Sequence, residues 1–257
     1  MPQRKIIEVH NMSSFFGDKE ILTDISFDAY ENDITVILGG SGAGKSVLLK
    51  HMLGLYVSEV GSVYIFGKNI YELQEEELLR LYLQMGVFYQ NGGLLNSLTV
   101  NENIALPLEQ HTNLNDDLIA KIVKSKLQLV NLLNAYYLYP SQLSGGMLKR
   151  AALARAIVMD PPLLFCDEPG AGLDPISLAA LDELILNLQE QMGMSVVIIT
   201  HEVSSILRIA DRIIFVDGGA VIFQGTLKEA LDSKIKQVEH FFQKGRSLPP
   251  KRDSTKH

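Results

Sequence analysis

The chain has 257 residues, is 47% hydrophobic and carries 23 basic against 30 acidic residues, a formal net charge of −7, with an isoelectric point near 5.4. That length and apolar content suit one large domain, or a core with an inserted subdomain, and the acidic balance argues against nucleic acid as a partner. A single cysteine, Cys166, excludes an internal disulfide and fits a reducing compartment; its apolar neighbours mark it as a small core residue.

The first residues, Met-Pro-Gln-Arg-Lys-Ile-Ile-Glu, hold no apolar signal region. No stretch approaches the ~20 apolar residues that cross a bilayer. The chain is therefore expected to be cytosolic, with any membrane role reached through a partner. Residues 6–9 and 25–28 are expected as short strands. Residues 34–38, Ile-Thr-Val-Ile-Leu, form an apolar, β-branched run and predict a buried strand. Next comes Gly39-Gly40-Ser41-Gly42-Ala43-Gly44-Lys45-Ser46, and residues 47–53 continue as a helix. The run fits the phosphate-binding pattern G-x-x-x-x-G-K-[ST], and strand, loop and helix are the context that separates the pattern from an ordinary glycine-rich turn. Glycines let the backbone wrap a triphosphate, with successive N–H groups pointing inward at a helix N-terminus. Lys45 is suited to the β- and γ-phosphates and Ser46 to Mg²⁺.

Residues 61–67 predict another strand, closed by a glycine at each end. Between 101 and 159 the pattern turns helical, and residues 118–133 carry a mainly one-sided apolar face. Leu143-Ser144-Gly145-Gly146-Met147 precedes a strong helix pattern, so Ser144 is a candidate cap, and its hydroxyl, the glycine N–H groups and the helix dipole make a second anion site. Residues 163–167 form a second buried strand, ending in Asp167-Glu168-Pro169. Carboxylates at the carboxyl end of a buried parallel strand sit where open α/β sheets bind ligands. Asp167 suits Mg²⁺ held through water, and Glu168 suits orienting or deprotonating an attacking water. Residues 195–200 predict a strand that delivers His201. Residues 213–216 and 220–223 flank Asp217-Gly218-Gly219, a tight hairpin signal. Residues 229–242 predict one C-terminal helix, and 244–257 a basic, proline-containing mobile extension.

With these motifs in order, residues 5–230 resemble the nucleotide-binding subunit of an ATP-binding-cassette (ABC) transporter. The resemblance implies an α/β P-loop NTPase core with an N-terminal antiparallel β subdomain and an inserted helical subdomain. It divides the chain into a core over 1–90 and 151–230, a helical signature unit over 91–150, and a C-terminal helix and tail over 231–257. It adds Phe16 as the aromatic that stacks on adenine, Gln90 as the glutamine that ligates Mg²⁺ or positions water, and Ser144, Gly145 and Gly146 as the signature that meets ATP. Asp174, in Gly172-Leu173-Asp174, becomes a bridge between subunits, though a plain helix cap before Pro175 fits it too. His201 becomes the γ-phosphate contact. ATP and Mg²⁺ are the implied cofactors, held head to tail between two copies of the chain. Three positions depart from the family's pattern. Met147 stands where glutamine is usual, Val47 where a second hydroxyl is usual, and Glu202 where aspartate is commoner.

Met147 after Ser-Gly-Gly, Gln90-Asn91-Gly92-Gly93-Leu94-Leu95, residues 97–112 and residues 238–242 resemble one branch of that family, the ATPases of Mla-type systems and their Mce-paired relatives. This implies transmembrane permease subunits, a periplasmic Mce-domain lipid-binding protein, room for a small regulatory subunit, and a peripheral place on the cytoplasmic face of the inner membrane. Another ABC importer, for an amino acid or a metal, stays open. A guanine-nucleotide enzyme is disfavoured because no Asn-Lys-x-Asp motif is present.

Overall fold

The computed structural model describes residues 3–246. The chain opens with two long strands, β1 (Lys5–Phe16) and β2 (Lys19–Tyr30), followed by β3 (Ile34–Leu38), α1 (Lys45–Met52), β4 (Val60–Ile65) and the short β5 (Lys68–Asn69). Then come α2 (Glu75–Tyr82), β6 (Met85–Phe88), α3 (Val100–His111), α4 (Asp116–Leu129) and α5 (Gly145–Ala156). The remainder alternates: β7 (Leu163–Asp167), α6 (Pro175–Met192), β8 (Ser195–Ile199), α7 (Val203–Ile209), β9 (Arg212–Asp217), β10 (Ala220–Thr226), α8 (Leu227–Leu231) and α9 (Lys236–Arg246).

Two sheets organise these elements. The larger runs β10-β9-β3-β8-β7-β6. Its pairs are parallel except β10 against β9, which the Gly218-Gly219 turn joins as an antiparallel hairpin. The smaller, β2-β1-β4-β5, is antiparallel throughout. Every residue of β3 and β8 is buried, because helices and the second sheet cover both faces; such strands read as unbroken apolar runs. Their alternation survives in what each residue packs against. Val36, Leu164, Cys166, Val196 and Ile198 face a core shared with α3 to α7 and α9. Ile37, Leu163, Phe165, Val197 and Ile199 face the antiparallel sheet and α1. Burial drives the Cys166 thiol pKa far up, so the residue is an inert core atom. Helices α3, α4 and α5 join that first core through Ile104, Leu108, Val123, Leu127 and Ala151.

Several sequence expectations change. The short strands at 6–9 and 25–28 are parts of twelve-residue strands, near the start of β1 and in the second half of β2. Their pairing slips between Val9 and Met12, where Asn11 adopts φ 47°, so the apolar alternation breaks although the strands continue. The helix expected at 118–133 runs instead from Asp116 to Leu129. Asn115 caps it by accepting from the Leu118 amide at 2.9 Å, and Asn131 turns left-handed beyond its end. The single helix expected at 229–242 is two. Thr226 and Glu229 form a capping box that starts α8 early, and the Ser233 hydroxyl accepts from the Ile235 amide at 3.2 Å in the break before α9. No sequence signal is read for α2 or α7, and for α6 only the helix cap at Asp174 before Pro175. The basic extension expected over 244–257 lies, from residue 247 on, outside the described residues.

Candidate active site

β3 ends at Leu38 and the chain turns at once into the glycine-rich loop. A Cβ at Gly39 would lie 2.0 Å from the Val216 carbonyl oxygen of β9, so only glycine lets the loop leave the sheet there. The first amides of α1 have no partner within their own helix and carry its positive dipole end. Lys45 Nζ donates to the carbonyls of Gly39 at 2.8 Å and Gly40 at 2.9 Å. Burial lowers the Lys45 pKa, against the opposing fields of Glu168 and then Asp167.

β7 brings those two carboxylates to the same edge. Burial raises the Asp167 pKa, Glu168 adds to the rise, and Lys45 and Lys50 oppose it. Glu168 holds φ 44°, a left-handed backbone uncommon for a residue with a side chain, while its amide donates to the Ile199 carbonyl at 2.8 Å. Its Oε1 lies 2.8 Å from His201 Nδ1. An ionised carboxylate only accepts, so in that state Nδ1 carries the proton. Oε2 is buried without a hydrogen-bond partner, one of two such side-chain atoms among the described residues. A partnerless buried carboxylate oxygen is costly unless something else engages it.

A cavity of about 700 Å³ gathers Gly39, Gly40, Ser41, Gly42, Lys45, Ser46, Gln90, Asp167, Glu168 and His201, with Phe241 of α9 on its wall. The hydroxyl, amide and carboxylate oxygens of Ser46, Gln90 and Asp167 form the donor set that suits a hard divalent cation such as Mg²⁺. Ala43, Gly44 and Val47 belong to the same loop and helix start, Ala43 being buried. The other expected site residues lie apart from this cavity. Phe16 ends β1, half exposed, with its ring 5.7 Å from Tyr56 in an edge contact. Tyr56 in turn stands edge-on to His51, and this aromatic row lines a separate depression. Ser144 caps α5, its hydroxyl accepting from the Met147 amide at a long 3.4 Å, and Gly145 and Gly146 begin that helix. Asp174 caps α6, accepting from the amides of Ile176 at 3.0 Å and Ser177 at 3.1 Å. Within one chain, then, the phosphate loop and carboxylates meet, and the signature and Asp174 do not join them.

Matched against known protein families, residues 22–171 fit the ABC transporter family. The chain is 39% identical to the intermembrane phospholipid transport system ATP-binding protein MlaF of Haemophilus influenzae, over 97% of this chain and 94% of that protein.

The chain belongs to the ABC transporter family.

It is 38% identical to the probable ribonucleotide transport ATP-binding protein mkl of Mycobacterium leprae, over 97% of this chain and 72% of that protein. The ATP-binding cassette MJ0796, solved as a dimer in a post-hydrolysis state with ADP and Pi, superposes with a TM-score of 0.77 at 28% identity, over 86% of this chain and 98% of that one. The chain is thus an ABC-type ATPase, the ATP-binding subunit of a transporter.

Two buried polar residues on α3 and α6 have partners that the sequence does not announce. Asn103 of α3 is fully buried. Its Oδ1 accepts from the Leu95 amide at 2.7 Å, and its Nδ2 donates to the carbonyls of Leu95, Leu98 and Thr99 at 3.0, 3.1 and 3.0 Å. Asp182 of α6, also buried, accepts from Ser205 at 2.7 Å and from Arg208, tying α6 to the helix that follows His201. Polar residues at helix spacing among apolar ones were the available signal, but surface positions give the same pattern.

Proposed function

We propose that this ATPase powers a membrane permease that moves phospholipids in an Mla-type system and so maintains outer-membrane lipid asymmetry. The near full-length similarity to MlaF carries the reading. A second cargo class remains in view, because the similarity to the relative named for ribonucleotide transport is almost as high. Among the described residues no helix is long and apolar enough to cross a membrane. In this reading ATP hydrolysis moves cargo by pushing on permease subunits, with the chain peripheral on the cytoplasmic face of the inner membrane. A periplasmic Mce-domain protein and a small regulatory subunit complete the assembly we envisage.

In this reading the loop amides of 39–46 and Lys45 bind the phosphates, and Ser46, Gln90 and Asp167 hold Mg²⁺. When bound, the cation neutralises charge on the β- and γ-phosphates. Glu168 orients the attacking water and takes its proton at the carboxylate. His201, joined to Glu168 at 2.8 Å, fixes that carboxylate and contacts the γ-phosphate. The partnerless Oε2 supports this role, because no donor of the described residues engages that oxygen. Phe16 stacks on adenine. Residues 91–150 act as the signature unit within the 1–90 and 151–230 core, with 231–257 closing the chain. The distance of Ser144–Gly146 and Asp174 from the chain's own cavity supports a homodimer in which each signature completes the partner's site.

The reading is tested in a strain carrying Lys45→Ala, by outer-leaflet phospholipid composition and detergent sensitivity. Surface-exposed phospholipid and sensitivity are expected to rise. Normal lipid composition with failed uptake of a small solute would replace the lipid reading with the importer reading.

A further inference from the structure

The loop after β6 is held by cations from the signature helix. Lys149 of α5 is only 6% exposed. Its ammonium donates to the Gln90 carbonyl and stands 5.5 Å over the Phe88 ring. Further along the same helix, Arg155 Nη1 donates to the Gly93 carbonyl at 2.7 Å and Nη2 to the Gly92 carbonyl at 3.0 Å. Burial lowers the pKa of both side chains, with Glu168 opposing at Lys149 and Tyr89 opposing at Arg155. Cations are drawn out of water only where acceptors are aimed at them, and here the acceptors are loop carbonyls. The backbone lies flat against the helix. A Cβ at Gly92 would come within 2.9 Å of Leu148 Cδ2 and 3.2 Å of the Ala152 Cβ, and φ there is +73°. Three carbonyls, at 90, 92 and 93, are thus tied to a helix whose first turn is capped by Ser144.

We propose that Lys149 and Arg155 are positioning residues through which the orientation of α5 sets the place of Gln90 in the nucleotide cavity. The inference rests on the reading of Gln90 as a residue of the Mg²⁺–ATP site. When α5 shifts, the two anchors carry the loop backbone with it, because the buried Lys149 ammonium would be stranded away from water without its carbonyl and the partly exposed Arg155 would lose two carbonyls at once. A side chain that only filled space would be replaceable by an apolar one of the same length. Lys149, which positions through its charge, is replaceable only by another cation, whereas Arg155 also needs the guanidinium fork that reaches two carbonyls at once.

The test uses the full chain with Lys149→Gln, Lys149→Arg and Arg155→Lys. Steady-state ATP hydrolysis is measured against ATP and against Mg²⁺, and amide hydrogen exchange is followed over residues 89–95 without nucleotide. Lys149→Gln is expected to lower kcat by about tenfold or more, since small misplacements of a reacting group are costly. KM for ATP should stay within about twofold, because Lys45 and the loop amides still bind the phosphates. Half-saturating Mg²⁺ should rise, exchange over 89–95 should quicken by about threefold or more, and Lys149→Arg should restore most of both. If Lys149→Gln folds poorly, Arg155→Lys, which keeps the charge and loses the fork, should by itself quicken exchange at 92–95. Unchanged exchange and unchanged kcat in Lys149→Gln, or equal losses in Lys149→Gln and Lys149→Arg, would overturn the inference. A wild-type chain that hydrolysed no ATP would overturn the nucleotide reading instead, and the exchange arm would still decide the clamp.

Discussion

Glu168 combines a left-handed backbone, one carboxylate oxygen on His201 and one buried oxygen without a partner. A helix or strand would relax that backbone, so the strain is held by the Ile199 carbonyl that takes its amide. Glu168→Gln keeps the shape and loses the proton acceptor. Hydrolysis is expected to fall by about 10²-fold or more with ATP binding retained, measured by single-turnover kinetics beside equilibrium nucleotide binding. Near-normal turnover would move the base elsewhere. Asp182 offers a pH signature. Burial raises its pKa against the stabilising contacts of Ser205 and Arg208. The folded chain therefore keeps this proton to higher pH than the unfolded chain, so stability falls as pH rises from the unfolded value, about 3.9, through the folded one. Asp182→Asn should flatten that part of the curve, read from denaturant midpoints across acidic pH.

Among the elements, α3 shows how one side chain can organise a connection. Asn103 satisfies four backbone groups in the 95–99 segment that follows the Gln90 loop. Asn103→Leu removes those partners and leaves the Leu95 amide and three carbonyls without the side chain that pairs them. A loss of about 3 kcal/mol is expected, measured by chemical denaturation, given the usual cost of stranded buried groups. A change under about 0.5 kcal/mol, the scatter typical of surface substitutions, would mean that the segment is held by other contacts. The ends of α8 and α9 have the same lesson at smaller scale. Hydroxyl groups at Thr226 and Ser233 decide where helix stops and starts, although the apolar spacing runs on through both.

At the scale of the molecule, the glycine-rich loop and the carboxylates line one cavity, and Ser144, the cap of α5, is not among its lining residues. Two copies related by a two-fold axis would supply each other's missing half. Lys45→Ala and Ser144→Arg chains are each expected to be inactive alone. Mixed, they should regain part of the wild-type rate, because a heterodimer keeps one intact composite site. Full activity of either variant alone in an ATPase assay would reject the shared-site arrangement. If the proposed coupling holds, the isolated chain should also hydrolyse more slowly than the same chain bound to a permease, as steady-state rates of the two would show.

The sequence by itself determined the core strands, the phosphate loop, the two carboxylates and the histidine. Each is a local pattern: an apolar run buried on both faces, glycines at fixed spacing, charges directly after a strand. Long β1 and β2 were hidden because a slipped pairing at Asn11 breaks the alternation that a flat strand would show. Only the tertiary structure decided that Lys149 and Arg155, on the signature helix, hold carbonyls some sixty positions earlier. It alone separated Phe16, Ser144 and Asp174 from the cavity that holds Lys45. Such contacts depend on which helix packs against which loop, and a buried cation and a surface cation look the same in a string of residues.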